Sequence, residues 1–288
     1  MTPRTEIAVR LLTIATLVGL LFASGLGLTW AQIVASLRKN RLGLILLANF
    51  CVVPAFCFAL TRFLRISTDV AMGMALLAAA PFAPVIPTFA RLAKGDLALA
   101  GALTGFFPFL SAFITPLVCE LSLKSFLEHS SLRFNVLSIL LVLISTITLP
   151  LAVGVTVRQY WPKLAVLLLK PIQMLSEATG AIALIFVVIV QFQTMRLITW
   201  NALLAMVLLS ELSFLAGYLS SVPPAAARLV VGLGTANRNI ALALLVAVES
   251  FPGTPIVATV VANGLLLILL GLVHVGLSRW FLSIETSG

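Results

Sequence analysis

The sequence predicts an all-α, polytopic membrane protein. Hydrophobic residues make up 61% of its 288 residues and charged residues only 9%, whereas a soluble domain has about 25% charged residues. The mean hydropathy is +1.18, and apolar stretches long enough to cross a bilayer, about 20 residues each, follow one another along most of the chain. Two of these stretches are interrupted, one by prolines and one by polar residues. Because lipid offers the backbone no hydrogen-bond partners, the spans must be helices.

Nine spans are predicted, separated by short polar loops within a single transmembrane domain. They cover residues 7–30, 42–61, 69–93, 97–119, 134–157, 172–193, 199–220, 227–248 and 255–281. The first is longer than the roughly 7–15 apolar residues of a signal peptide, so we expect it to be retained. An odd number of spans places the two termini on opposite sides of the membrane.

Basic residues in the loops set the predicted orientation. The 18 Lys and Arg residues give the chain a net charge of +9, and nearly all lie in short loops, where they determine topology and do not form a nucleic-acid surface. Ten fall on one side of the predicted membrane and seven on the other, which favours an N-terminus outside and a C-terminus in the cytoplasm. The three cysteines lie in or beside apolar stretches without CxxC spacing, so neither disulfides nor a metal site is predicted.

The third span carries the first interruption, the segment AAPFAPVIP at residues 79–87. Each of its prolines, Pro81, Pro84 and Pro87, removes a backbone donor and clashes with the preceding helical turn. A simple kink is the alternative, since proline kinks are common in membrane helices. Three prolines at intervals of three residues favour a complete break.

The eighth span carries the second interruption, GTANRN at residues 234–239. Its glycine relaxes the backbone, and the side-chain amides of Asn237 and Asn239 compete for backbone hydrogen bonds. We therefore expect the helix to unwind at mid-membrane. A polar contact between two helices is the alternative, and the charge of Arg238 disfavours it.

The two interrupted spans occupy corresponding places in two halves of the chain. Residues of about 7–123 hold four spans and residues of about 134–281 hold five, and in each half the interrupted span comes second to last. Interrupted helices at corresponding positions indicate the binding site of a transporter. We expect substrate or ion contacts from residues of the two breaks: Pro84, Pro87, Thr235, Asn237, Arg238 and Asn239.

Five segments resemble the bile acid:sodium symporter family, and the resemblance covers nearly the whole chain. They are GLGLTW (25–30), NFCVVPAF (49–56), RLAKGDLAL (91–99), ITP (114–116) and GTANRNIALA (234–243). The resemblance implies an inverted-repeat transporter of the bacterial plasma (inner) membrane that lacks the first of ten spans. It also implies a panel of helices from the first, fifth and sixth spans, and a core with two broken, crossing helices. A small organic anion would bind between them.

The resemblance implies a sodium site that this chain has largely lost. Sodium-coupled members carry a glutamate and a glutamine at the second break, a Ser-Asn pair at the first, and further hydroxyl and amide oxygens nearby. The corresponding positions here are Gly232, Ala236, Ile86, Pro87 and Ala100. Thr104 and Asn49 alone keep an oxygen, and a sodium ion would meet the positive charge of Arg238. We therefore expect no cofactor and no sodium coupling, with a degenerate site at Asn49 and Thr104.

Arg238 needs a partner, because an unpaired arginine at the bilayer centre costs about 2.5–3.5 kcal/mol. The sequence offers Glu211 in the seventh span, Glu177 near the start of the sixth, and the substrate itself, whose carboxylate or sulfate an arginine can bind with two hydrogen bonds. Alternatively, Arg238 is a permanent cation that neutralises the negative ends of the crossing helices.

The sequence thus predicts a secondary transporter of a small organic anion that works by alternating access within the lipid bilayer. A sodium-dependent bile acid or organic anion symporter is the alternative, followed by an ion or solute channel. A metalloid exporter of related architecture would need a cysteine at the first break. Two histidines and the absence of HExxH, GxSxG or paired aspartates argue against an enzyme. The sequence indicates neither the oligomeric state nor the direction of transport.

Overall fold

The structure, a computed structural model, describes residues 3–29, 31, 35, 38, 40–128 and 132–285, with side chains described as far as residue 280. Trp30, which ends the segment GLGLTW, lies outside the described residues. Within these ranges the chain forms helices and no strand. The helices are α1 (Pro3–Gly27), α2 (Leu42–Phe63), α3 (Thr68–Ala78), α4 (Ile86–Leu92), α5 (Leu97–Leu127), α6 (Val136–Tyr160), α7 (Pro162–Met195), α8 (Trp200–Ser220), α9 (Ala225–Ala236), α10 (Ile240–Ser250) and α11 (Ile256–Glu285).

The predicted all-α polytopic class is confirmed. In the described part of the chain, eight helical segments are long and apolar enough to cross a membrane, counting α9 and α10 as one. The third predicted span is the pair α3 and α4, of 11 and 7 residues, which are each too short to cross alone. The nine predicted spans thus correspond to eight long segments and one interrupted pair.

Two of the long helices contain a π-helical segment that ends two residues before a proline. These segments are Ala48–Val52 in α2 and Ile144–Thr148 in α6, and Pro54 and Pro150 follow them. In α2 the N–H of Val53 donates to the carbonyl of Ala48, five residues back. Because Pro54 has no N–H, the next carbonyl in the series, that of Asn49, is left available to another donor.

Helices α1, α6 and α7 pack together as one group, the panel. Glycines allow a close approach of α1 and α6, since a Cβ placed on Gly154 would lie 3.0 Å from the Cα of Gly25. A Cβ on Gly180 of α7 would lie 2.9 Å from the Cγ2 of Thr16 on α1. Small residues at helix contacts are the usual means of tight packing in lipid.

The other helices form a second group, the core, in which α8 packs along α9 and α3 packs against α11. In their most apolar stretches, 83% of the α9–α10 residues are buried inside the protein but only 22% of the α7 residues. The α9–α10 segment therefore lies at the centre of the core, whereas most of α7 faces outward. This is the division into panel and core that the family resemblance implies.

Candidate functional site

The two interrupted helices cross at their breaks and exchange backbone hydrogen bonds. The N–H of Ala83 donates to the carbonyl of Asn237 at 3.1 Å, and the N–H of Asn239 donates to the carbonyl of Ala80 at 2.8 Å. Unwound backbone in a membrane is stable only where such groups are satisfied within the protein. The crossing is therefore a fixed joint between α3–α4 and α9–α10.

Side chains satisfy further backbone groups at the two breaks. The Oδ1 of Asn239 accepts a hydrogen bond from the N–H of Leu242 at 3.0 Å and so caps the start of α10. The hydroxyl of Thr115 on α5 donates to the carbonyl of Ala79 at 2.8 Å, at the end of α3. An asparagine N-cap is among the most favourable choices for a helix start, so the GTANRN segment encodes both the end of α9 and the beginning of α10.

Phe82 fixes how closely the two breaks approach. Its backbone adopts a φ of 53°, and its ring stacks on that of Phe107 with centroids 4.2 Å apart. A Cβ placed on Gly234 would overlap the Phe82 ring. Gly234 is thus required by its lack of a side chain, because the aromatic ring occupies the space that any other residue would need.

A crevice between panel and core reaches the crossing. It consists of two adjoining cavities of about 500 and 560 Å³ that share Leu20, Pro84, Thr88 and Glu177 in their walls. The first has Asn237, Arg238 and Asn239 of the second break in its walls, and the second extends to Gly27 at the end of α1 and Arg91 near the end of α4. We call this end of the crevice, with Gly27, Leu28, Arg91, Leu169 and Lys170 in its walls, the mouth. Cavities of this size suit small organic ligands.

The predicted contact residues fall into two sets. Pro84, Pro87, Thr104, Asn237, Arg238 and Asn239 line the crevice. Asn49 and Thr235 do not line it and are both fully buried, where the Nδ2 of Asn49 donates to the Oγ1 of Thr235 at 3.0 Å. The break residues therefore lie where substrate could reach them, and this second pair lies behind the crossing.

The guanidinium of Arg238 points away from the crevice, towards Asn49. Its Nη1 lies 3.2 Å from the Oδ1 of Asn49 and 3.4 Å from the carbonyl oxygen of the same residue, and its Nη2 lies 3.4 Å from that carbonyl. This is the carbonyl that the π-helical segment and Pro54 leave available. With Arg238 only 4% exposed, the positive charge is held inside the core by neutral oxygens.

Glu211, predicted as a charge partner of Arg238, instead binds His274. The Nε2 of His274 on α11 lies 3.0 Å from the Oε2 of Glu211 on α8. The neighbours of Glu211 on α8, Ser210 and Ser213, line a small internal cavity that Arg238 also reaches. One residue along a helix is a rotation of about 100°, so Glu211 is turned away from the arginine.

Glu177, the other acidic candidate, is also not bound to Arg238. Its Oε1 accepts a hydrogen bond from the Nε2 of Gln173, 2.8 Å away and one turn earlier on α7. Among the described residues, the ion pairs are Arg10 with Glu249 and His274 with Glu211. Arg238 therefore has no carboxylate partner in the described part of the chain.

Sequence reasoning missed the panel side of the crevice. That wall is lined by α1 and by α7, whose lining residues include a set at helical spacing: Lys170, Gln173, Glu177, Gly180 and Leu184. The predicted sixth span began at residue 172, whereas α7 begins at Pro162 and is 34 residues long. Its polar residues recur every three to four positions along an apolar helix, which was the available signal.

A crossing of two interrupted helices, reached by a crevice between two helix groups, defines a polytopic membrane transporter. The model of the Sodium Bile acid symporter family matches residues 14–199. The match covers more than half of the chain, and the chain belongs to this family. The matched range includes the first break, Asn49 and Glu177, whereas the second break lies beyond it. No curated protein matches the chain.

Proposed function

We propose that the chain is a secondary transporter that moves a small organic anion by alternating access. The observation that supports this most directly is the crevice between panel and core, which ends at the helix crossing. Its mouth carries Arg91 on the core wall and Lys170 on the panel wall. Two cations at the mouth of a cleft raise the local concentration of anions, and the mainly apolar walls beyond it fit an organic body.

The crevice in this conformation opens towards one side of the membrane. Its lining runs from the crossing to Arg91 and Lys170. At the opposite end α1 of the panel packs on α10 of the core, and Arg10 pairs with Glu249. With the N-terminus outside, as the loop charges favour, the open end faces the cytoplasm, and rocking of the panel would open the other end.

Arg238, in this proposal, takes the place of a bound sodium ion. Its guanidinium occupies the oxygens of Asn49, one of the two positions that keep an oxygen where the family binds sodium. Gly232, at the position of the family's glutamate, supplies no carboxylate, and a Cβ there would lie 3.1 Å from the ring of Phe214, so that the ring would have to shift by a few tenths of an ångström. The negative ends of α3 and α9, which meet at the crossing, favour a fixed cation. The residues present do not fit a sodium ion.

The test is uptake by the purified full chain in liposomes, with a sterol sulfonate and a panel of small carboxylates as probes. We expect uptake or exchange of at least one of these anions, at equal rates with sodium, potassium or choline as the external cation. The control is liposomes without protein. A strict requirement for a sodium gradient would show that Arg238 does not replace the ion.

Sodium-dependent symport is the second candidate, and one observation favours it. Thr104 is buried at 2% exposure and lines the crevice, and its Oγ1 has no hydrogen-bond partner among the described residues. A hydroxyl oxygen left free in this way could serve a hard cation. The same uptake experiment distinguishes the two candidates through its dependence on sodium.

A further inference from the structure

We propose that the carboxylate of Glu177 in the crevice binds a positively charged group, so that the anion is carried together with a positive charge. This inference deepens the proposed function and rests on it. The shared chemistry is a monovalent cationic group opposite one carboxylate. It could be an ammonium group of the substrate itself or a proton, and the experiment below separates these two sources.

Glu177 lies at the centre of the crevice. Among the described residues it is the one charged residue that belongs to the walls of both cavities, and its side chain is accessible. It sits two helical turns beyond Lys170 on the same face of α7, a rise of about 10 Å. Cargo that passes the mouth must therefore pass this carboxylate before it reaches the crossing.

The charges that face Glu177 do not neutralise it. Of the described residues that line the crevice, the charged ones are Arg91, Lys170, Glu177 and Arg238. None of these cations forms an ion pair with Glu177, and the guanidinium of Arg238 is bound to Asn49 on the far side of the crossing. Within the part of the chain that the structure describes, the carboxylate accepts a hydrogen bond only from the neutral amide of Gln173.

The α1 wall offers Glu177 no donor either. The hydroxyls of Thr13 and Thr16 line the cavity at the crossing, but they donate to the carbonyls of Val9 and Leu12 on their own helix, at 2.7 and 2.8 Å. The unpaired charge in the middle of the crevice is therefore the negative charge of Glu177, whereas the charged residues at the mouth, Arg91 and Lys170, are positive.

An anion alone is poorly suited to this arrangement. While the crevice is open, water solvates Glu177, but closure around cargo removes that water and leaves a carboxylate that must be paired. A bare organic anion would add a second negative charge beside it and be repelled. A cationic group that arrives with the anion removes both the cost of the unpaired carboxylate and the repulsion between the two negative charges. The anionic part would then lie nearer Lys170 and Arg91.

The experiment follows the thermal stability of the full chain in a neutral detergent, because a ligand of the native state raises it. The probes are sodium chloride, choline chloride, a series of pH values, a sterol sulfonate and the matching sterol sulfobetaine, which adds a quaternary ammonium group. The variants are Glu177→Gln, which keeps the size of the side chain, and Glu211→Gln as a matched control. Glu211 is a carboxylate outside the crevice, bound to His274.

We expect protons or the sulfobetaine to stabilise the wild type and Glu211→Gln, and sodium chloride to have no more effect than choline chloride. In Glu177→Gln the dissociation constant of that probe should rise about tenfold or more, the equivalent of about 1.4 kcal/mol. The plain sulfonate should bind this variant more tightly than the wild type, since the repulsion is gone. Which of the two, protons or the sulfobetaine, loses its effect in Glu177→Gln identifies the source of the positive charge.

Two results overturn the inference: identical responses of the wild type and Glu177→Gln to every probe, or no response of the wild type to any positively charged probe. Failure of the proposed function looks different. In that case the liposomes take up neither the sterol sulfonate nor any of the small carboxylates, whereas a response of the thermal stability to pH that depends on Glu177 can still be present.

Discussion

Arg238 is a buried cation whose partners are neutral oxygens. Its cost in the membrane is offset by the hydrogen bonds to Asn49 and by the negative ends of two helices. Asn49 lies 189 positions earlier in the chain, and its carbonyl is available only because of the π-helical segment and Pro54. A positive charge is thus built permanently into the joint between the two breaks.

We predict that Arg238→Gln lowers uptake of the anion about tenfold or more, because a buried hydrogen bond to a charged group contributes about 1.5–3 kcal/mol. The space left by the guanidinium keeps both oxygens of Asn49, so sodium should stimulate this variant and not the wild type. The measurement is liposome uptake with and without sodium. The control is Arg228→Gln, since Arg228 is on the same helix, α9, and stacks on Tyr218.

Unchanged uptake in Arg238→Gln would limit Arg238 to a role in folding. Loss of uptake without any response to sodium would separate the arginine from the family's cation site. Insertion into the membrane and the thermal stability of each variant are measured alongside, so that a misfolded protein is recognised as such.

Gly234→Ala should destabilise the protein by about 1–3 kcal/mol, the usual cost of overpacking a filled site, because its Cβ would overlap the ring of Phe82. Thermal unfolding in detergent measures the loss. Phe82→Leu in the same chain should recover part of it. The control is Gly276→Ala, where a Cβ meets nothing within 4 Å, and an equal loss in the control would refute the steric explanation.

For individual residues, the sequence was sufficient to predict where the two helices break but not which residues contact the breaks. Prolines and the GTANRN segment act locally on the backbone, so Pro84, Asn237 and Asn239 could be predicted to lie at an interruption. The pairing of Arg238 with Asn49 depends on how α2 rotates against α9, which local sequence does not determine. Charge alone suggested Glu211, and helix rotation placed that residue beside His274.

Among the elements, helix α7 begins earlier in the structure than the sequence predicted. Lys163 and Lys170 marked a loop in the sequence, yet the apolar stretch between them continues the helix back to Pro162. Proline is favoured in the first turn of a helix, which agrees with this start. Apolar length predicted the existence of the helices, whereas the face that each helix presents to the crevice was set by packing.

The contact of α1 with α10 closes the end of the crevice opposite its mouth, and Arg10 and Glu249 form an ion pair across it. Their side chains are 51% and 13% exposed, so the pair contributes on the order of 1 kcal/mol or less. A contribution of this size can bias an equilibrium between two conformations without locking it. The pair is thus suited to act as a latch in the proposed alternating-access cycle.

Charge reversal tests this latch. Arg10→Glu and Glu249→Arg should each favour the conformation open to the other side, and the double variant should restore the wild-type balance. The measurement is labelling of Leu244→Cys, a crevice position, by a membrane-impermeant maleimide from outside, with the three native cysteines replaced by serine. The control is Arg4→Glu on the same helix, and equal labelling in all variants would exclude a latch.

For the whole molecule, the tethered cation has an energetic consequence. In the proposed alternating-access cycle, a dissolved ion would cross with its cargo and be left on the other side, whereas Arg238 would return with the protein and perform no net electrical work. A cargo of one negative charge carried alone would then have to move inwards against a membrane potential. At 100 mV, inside negative, that requires about 2.3 kcal/mol, which limits accumulation to about one fiftieth of the outside concentration. Such a carrier would act as an exporter in an energised cell, and inward accumulation would require a compensating positive charge on every cycle.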